Sequence, residues 1–197
     1  MTATHRGTIA APDREDLMRA LLLLALVACS DDGGTPVDAA VQGDGALDAA
    51  GGLATTCTGA CRTTALAATF GATTRTLDVA YFGVTTAGGT QSLYVEAYGG
   101  AAAGCPTMSS PTPDYTLIFG SVPMPTSTAV LTSVANLIDF QGDLLPSPAP
   151  VRATVVTLTP VAKNTMELAL DADLTFGSGT LAGHLYATHC DSLDDTQ

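Results

Sequence analysis

The sequence predicts an all-β domain, an antiparallel β-sandwich or a barrel-like fold, and three observations support that class. Two segments alternate apolar and polar residues on either side of short Gly-containing turns, which is the pattern of β-hairpins. Pro-rich breaks separate the other short apolar segments. The composition, with 20 glycines and many threonines, favours strands and turns over a helical bundle, and the absence of Trp disfavours an immunoglobulin domain proper.

Composition also divides the chain and limits its partners. Residues 1–28 form a signal-peptide region, residues 29–52 a tether, and residues 53–197 the β domain. The whole chain carries 19 acidic and 7 basic residues, a net charge of −12, and the β domain itself has 11 acids against 4 bases. Because nucleic-acid binding needs a basic patch, we exclude nucleic acid as a partner.

The first region contains an apolar stretch, residues 20–28, that follows Arg19 and ends at Cys29. Its nine residues match the length of a signal-peptide core, about 7–15 residues, and are too few for a membrane-spanning helix, which needs about 20. Residues 1–17 carry acidic side chains where a signal peptide is positively charged. This favours Met18 over Met1 as the start of translation, and both starts give the same mature chain.

The end of the apolar stretch, Leu26-Val27-Ala28-Cys29, resembles the lipobox of bacterial lipoproteins. The resemblance implies cleavage before Cys29, diacylation of its thiol and acylation of its new amino group. Several acyl chains hold a protein stably at a bilayer. Ser30 occupies the position where Asp favours inner-membrane retention, so the resemblance implies an outer-membrane location in the Gram-negative cell envelope. The alanine- and aspartate-rich segment that follows is similar to those of envelope lipoproteins from high-GC genomes.

The tether is predicted to be a disordered linker. Gly, Asp and Ala account for 16 of its 23 positions after Cys29, and it has no basic or aromatic residue. Such a segment buries too little apolar surface to offset its ordering entropy. A flexible chain of this length reaches about 25–30 Å, enough to lift a domain off a lipid surface. Its aspartates lack the spacing of an EF-hand calcium loop.

The first predicted hairpin runs from Thr76 to Tyr98 around a Gly88-Gly89 turn. Its register brings apolar residues together on one face and places three tyrosines on the other, beside Glu96: Tyr81, Tyr94 and Tyr98. Tyrosines combine apolar area with a polar tip and are favoured at recognition surfaces. The row is therefore a candidate ligand face, with coverage by a second sheet as the alternative.

The second predicted hairpin runs from Met166 to Cys190 around a Gly177-Ser178 turn. Its outer face carries the best polar constellation of the sequence: Asp171, Asp173 and His184. Two carboxylates and an imidazole could hold a divalent cation or act as acid and base. The alternative is a solvated sheet face with one cross-strand ion pair, which is the usual composition of such faces.

Three shorter segments between the hairpins are predicted strands: residues 115–122, 130–140 and 152–158. The second of them also fits a helical stripe, so the domain could contain one short helix. No nucleotide-binding loop, GxSxG elbow or HExxH helix is present in the sequence.

Four cysteines remain in the β domain once Cys29 carries lipid: Cys57, Cys61, Cys105 and Cys190. An even number in an oxidising compartment fits two disulfides, with three possible connectivities. We favour Cys57–Cys61 with Cys105–Cys190, because the second pair would fix a Gly/Pro/Ser-rich loop to the C-terminal strand. The spacings match neither a zinc site nor a redox CxxC.

These features together predict a lipid-anchored envelope protein without enzymatic activity or a cofactor. Its partners would be the membrane, through the acyl chains, and an envelope protein or surface ligand bound by a sheet face or by the loop around Cys105. The alternative function is a periplasmic hydrolase or metal-binding protein that uses Asp171, Asp173 and His184.

The lipobox assignment predicts the outcome of Cys29→Ala. Without the thiol there is nothing to acylate, so the variant should lose acyl labelling and move from the detergent phase to the aqueous phase in a phase-partitioning assay. A Ser30→Ala variant is the control and should stay lipidated. Continued acyl labelling of the Cys29→Ala protein would contradict the assignment.

Overall fold

The structure, a computed structural model, describes residues 52–101 and 104–196. Cys29 and the residues assigned to the signal peptide and tether lie outside this part, apart from Gly52. The described residues form eleven strands and two 3₁₀ turns, Gly59–Arg62 and Asp191–Leu193. The strands are β1 (Ala65–Phe70), β2 (Thr73–Leu77), β3 (Val79–Ala87), β4 (Thr90–Gly99), β5 (Tyr115–Pro123), β6 (Val134–Asp139), β7 (Val151–Arg152), β8 (Val155–Lys163), β9 (Glu167–Thr175), β10 (Gly179–His189) and β11 (Asp195–Thr196).

All eleven strands belong to one sheet, which curls into a half barrel and confirms the all-β class. Its hydrogen-bonded order is β2-β1-β10-β3-β4-β5-β6-β7, while β9 and β8 extend it from the other edge of β10. Two pairs are parallel, β10 with β3 and β11 with β3, so the sheet is mixed and not purely antiparallel as predicted. The cause is the C-terminal segment, which runs alongside β3 in the same direction.

Both predicted hairpins form in the predicted register. In the first, Val84 lies opposite Leu93, and Gly88 and Gly89 adopt the positive φ angles that the turn requires. In the second, Leu174 lies opposite Leu181. A slip by one residue would turn the buried side chains of these strands to solvent, which is why the alternation specifies the register.

Three local features differ from the predictions. The first hairpin strand is interrupted: residues 76–77 belong to β2, and β3 begins at Val79. Strand β1, with buried Leu66, Ala68 and Phe70, was not predicted. The possible short helix within residues 130–140 is wrong, because this segment contains β6, which pairs with β5 and buries alternate residues. The hydrogen bonds and packing that β6 gains from pairing with β5 decide the structure of this segment, although its apolar residues also have helical spacing.

The core lies on one face of the curled sheet and is built from alternate residues of β1 to β6 and β8 to β10. Its largest fully buried side chains include Phe82 on β3 and Phe119 on β5. Complete burial of such a side chain stabilises the fold by about 1.5–3 kcal/mol. The opposite face of β3, β4, β5 and β6 is thereby left to carry the residues of the candidate site.

One charged side chain, Asp139 at the end of β6, is fully buried. Its carboxylate accepts hydrogen bonds from the backbone N–H groups of Gly142 at 2.7 Å, Leu144 at 2.7 Å and Leu145 at 2.8 Å. Burial alone would raise the pKa of Asp139, but these backbone donors outweigh it and hold the pKa below its usual value. Asp139 therefore fixes the loop that follows β6.

Asp139→Ala should lower the free energy of unfolding by about 2–4 kcal/mol at neutral pH, because it leaves buried N–H groups without acceptors. Urea unfolding measures the loss. The depressed pKa means that the carboxylate stabilises the fold above its unfolded-state pKa of about 3.9, and that this contribution is lost as pH falls through the folded-state pKa. The difference in the free energy of unfolding between Asp139→Ala and wild type should therefore become smaller below about pH 4.

The control is Asp173→Ala, which removes an exposed carboxylate and should change stability by about 0.5 kcal/mol or less. Equal losses for the two variants would contradict the role assigned to Asp139.

Candidate functional site

A pocket lies on the outer face of strands β3 to β6 and encloses about 420 Å³. The sheet register assembles it: Tyr81 on β3 faces Glu96 on β4, which in turn faces Ile118 on β5. Directly opposed residues point to the same side of a sheet, so these three side chains share one face. Tyr98, Thr116, Ile138 and the half-exposed Phe140 complete the part of the pocket built by the strands.

The other wall is the loop after β4, which contributes residues 104–107 and 110–113. This loop is fixed at several points. Its Cys105 forms a disulfide with Cys190 at the end of β10, and Ser192 donates a hydrogen bond to the Pro106 carbonyl oxygen at 2.7 Å. The Tyr81 hydroxyl oxygen accepts a hydrogen bond from the Gly104 amide at 2.6 Å, so a pocket tyrosine also holds the loop.

A hydrogen-bond network orients the carboxylate in the pocket. The Tyr94 hydroxyl donates to Glu96 Oε1 at 2.8 Å, and the Tyr98 hydroxyl donates to Glu96 Oε2. Burial raises the pKa of both tyrosines, and the hydrogen bonds to Glu96 raise it further. Both hydroxyls therefore remain protonated donors at physiological pH, and each holds one carboxylate oxygen.

Among the described residues that line the pocket, Glu96 is the only charged one. Its two tyrosine partners are neutral, and none of the ion pairs formed within residues 52–101 and 104–196 includes it. A second groove, of about 440 Å³, also contains a carboxylate, that of Asp143, but this one has a cationic partner. It forms an ion pair with the Arg75 guanidinium at 2.5 Å. Hydrogen bonds from Arg75 and Tyr115 hold the pKa of Asp143 below its usual value.

The structure separates the roles of the three predicted tyrosines. Tyr81 and Tyr98 line the pocket, with their ring centroids 6.2 Å apart, whereas Tyr94 holds Glu96 without lining it. What covers Tyr81 and Tyr98 is the disulfide-fixed loop with Cys190, and not a second sheet. Only 8% of Tyr81 and 7% of Tyr98 is exposed.

Sequence reasoning missed the apolar residues contributed by the neighbouring strands, Ile118, Ile138 and Phe140. Alternation within the predicted strand 115–122 would have placed Ile118 on the face opposite the core. The pairing of β5 with β4 that brings it to Glu96 has no local signal.

The second predicted constellation does not form a common site. Asp171 and His184 are paired, with 2.7 Å between Asp171 Oδ1 and His184 Nδ1, while Asp173 contacts neither through a hydrogen bond. The other ring nitrogen of His184 lies 2.9 Å from the Cys61 carbonyl oxygen. Both ring nitrogens already have partners in the fold, so Asp171 and His184 form a cross-strand pair in which Asp171 is exposed and His184 lies against the turn that contains Cys61.

Two clusters in the described part of the chain combine possible metal ligands. The first joins His184 to Cys57 and Cys61, whose sulfurs are bonded to each other. The second joins His189 to Asp191 and Asp194 at the C-terminal turn. Here Asp194 Oδ1 lies 3.0 Å from His189 Nε2 and accepts the Val84 amide at 2.7 Å. These contacts attach the C-terminal segment to β3.

The cysteines form the two favoured pairs, Cys57–Cys61 and Cys105–Cys190, with Cα–Cα distances of 5.4 Å and 5.6 Å.

Among the residues that the structure describes, no helix is long and apolar enough to cross a membrane. Comparison of the chain with protein-family profiles, with curated proteins and with solved structures gave no match. Function is therefore inferred from the geometry of the domain.

Removal of the Cys105–Cys190 disulfide should destabilise the domain more than removal of Cys57–Cys61. The two bridges span 85 and 4 positions. From the chain-entropy relation, the free energy of unfolding should fall by about 4–5 kcal/mol without Cys105–Cys190 and by about 2 kcal/mol without Cys57–Cys61. Urea unfolding of the two double Cys→Ala variants under oxidising conditions measures the difference. Equal losses would show that the longer bridge does not constrain the unfolded chain as the structure implies.

Proposed function

We propose that the protein is a lipid-anchored, non-enzymatic component of the Gram-negative cell envelope whose β domain binds a ligand in the tyrosine pocket. The observation that carries this proposal is the concave pocket itself, in which two tyrosine hydroxyls orient Glu96 beside a disulfide-fixed loop. Ligand sites are typically concave, mostly apolar and supplied with a few oriented polar groups.

The pocket has the properties expected of a preformed binding site. Its volume, about 420 Å³, falls within the range of small-molecule sites, about 300–1,000 Å³. Its wall is anchored at Cys105, Gly104 and Pro106, so a ligand would meet an ordered surface. Such preorganisation favours affinity, because little conformational entropy is lost on binding.

The residues that line the pocket favour binding over hydrolysis. None of them is a histidine, and Glu96 already accepts hydrogen bonds from two tyrosines. The Ser110 hydroxyl accepts the Thr107 amide at 2.9 Å and so belongs to the internal bonding of the loop. An activated nucleophile needs a base within hydrogen-bond reach. The lining offers no hydroxyl of this kind next to an imidazole.

The location in the envelope is supported by the lipobox at Cys29, which lies outside the described residues. Acyl chains on Cys29 would hold the chain at the membrane, and the tether would separate the domain from the lipid headgroups. The two disulfides fit a protein exported to an oxidising compartment. We place the anchor at the outer membrane because Ser30 follows Cys29.

The proposal is tested by capture of ligands from envelope extract with the intact lipoprotein in detergent, followed by mass spectrometry of the eluted small molecules. Wild-type protein should retain a compound that Ile118→Trp loses, because the larger side chain fills the pocket. Circular dichroism confirms that the variant is folded.

A variant with Asp171, Asp173 and His184 all replaced by alanine is the matched control and should retain the compound. Loss of the compound in this control, with retention by Ile118→Trp, would instead support the alternative of a hydrolase or metal-binding protein centred on those three residues.

A further inference from the structure

We propose that the tyrosine pocket selects small organic cations, with an ammonium group beside Glu96 and a compact apolar body against the surrounding side chains. This inference rests on the proposed binding function and adds the chemical class of the ligand. Three properties of the pocket support it: the charge of Glu96, the aromatic and apolar residues around it, and the absence of basic groups from its lining.

The charge of Glu96 lacks a counter-ion within the described domain. Tyr94 and Tyr98 satisfy one hydrogen-bonding position on each carboxylate oxygen but bring no positive charge. A partly buried carboxylate without a cation is costly, and this cost is relieved when a cation enters. Each carboxylate oxygen has a further lone pair, so Glu96 can accept a bond from an ammonium N–H while keeping its tyrosine donors.

The surroundings of Glu96 suit the rest of such a ligand. Tyr81 and Tyr98 line the pocket beside the carboxylate with small exposed areas, 8% and 7%, so the charge of Glu96 is the main attraction for the cation. Ile118, Ile138 and Phe140 provide apolar surface on the sheet side. This combination of aromatic rings, one carboxylate and aliphatic side chains matches a cation attached to an apolar group.

The same lining disfavours an anionic ligand. None of the pocket residues is basic, so the carboxylate of an acidic ligand would face Glu96 without a positive partner. Like charges placed together in a partly desolvated site repel each other. The surplus of acids over bases in residues 53–197 adds a general attraction for cations.

The test compares three probes of similar shape, benzylammonium, benzyl alcohol and benzoate, by isothermal titration calorimetry with the intact lipoprotein in detergent. We expect benzylammonium to bind about tenfold or more tightly than benzyl alcohol, and benzoate to show no binding. This comparison uses the wild-type protein, so it does not depend on the folding of a variant.

Glu96→Gln should then weaken the binding of benzylammonium by about tenfold or more and leave the binding of benzyl alcohol unchanged, because it removes the charge and keeps the size of the side chain. The amide oxygen keeps one tyrosine donor, and the amide NH2 can donate to the other tyrosine hydroxyl. Asp173→Asn, which neutralises an exposed acid on β9, is the matched control and should bind benzylammonium as wild type does. Ile118→Trp should abolish binding of both probes.

Failure of this inference is distinguishable from failure of the proposed function. Equal affinity for benzylammonium and benzyl alcohol, or unchanged binding in Glu96→Gln, would overturn cation selection even where the pocket captures a ligand from envelope extract. Retention of benzylammonium by Ile118→Trp would also overturn it, because the probe would then bind elsewhere.

Discussion

Strand β10 is the element on which the sheet depends, because it connects three parts of the sheet: β1 with β2, β9 with β8, and the strands from β3 to β7. One edge pairs with β9, and the other pairs first with β1 and then, in parallel, with β3. The approach of β1 is so close that a side chain at Gly183 would place its Cβ 2.1 Å from the Ala65 carbonyl oxygen. Glycine, at a φ of 140°, is what allows the two strands to pair there.

The pocket follows from the same arrangement. The end of β10 places Cys190 beside Tyr81 and Tyr98, and the disulfide to Cys105 then draws the loop after β4 across their rings. Alternation along β4 sends Val95 into the core and Glu96 into the pocket. Core and site are thus opposite faces of the same strands, so a shift in register would disturb both.

The sequence predicted those parts of the fold that depend on local pattern. Both hairpins have period-two alternation around glycine-containing turns, and both registers are confirmed. The parallel pairing of β10 with β3, and the pairing of β1 with β10, join distant segments and leave no such pattern. For the site, the tyrosine row and the cysteine pairing were predictable. Ile138 and Phe140 were not, because β6 reaches the pocket only through its pairing with β5.

The pairing of β1 with β10 also has a consequence for biogenesis. The Thr64 hydroxyl oxygen, next to β1, accepts a hydrogen bond from the Tyr186 amide across 122 positions of chain, so the sheet cannot close until the segment that contains Tyr186 has been synthesised. Folds dominated by such distant contacts form slowly, since loop-closure entropy is lost before the contacts are made. A nascent chain of this topology therefore completes its sheet only after its last strands have been synthesised.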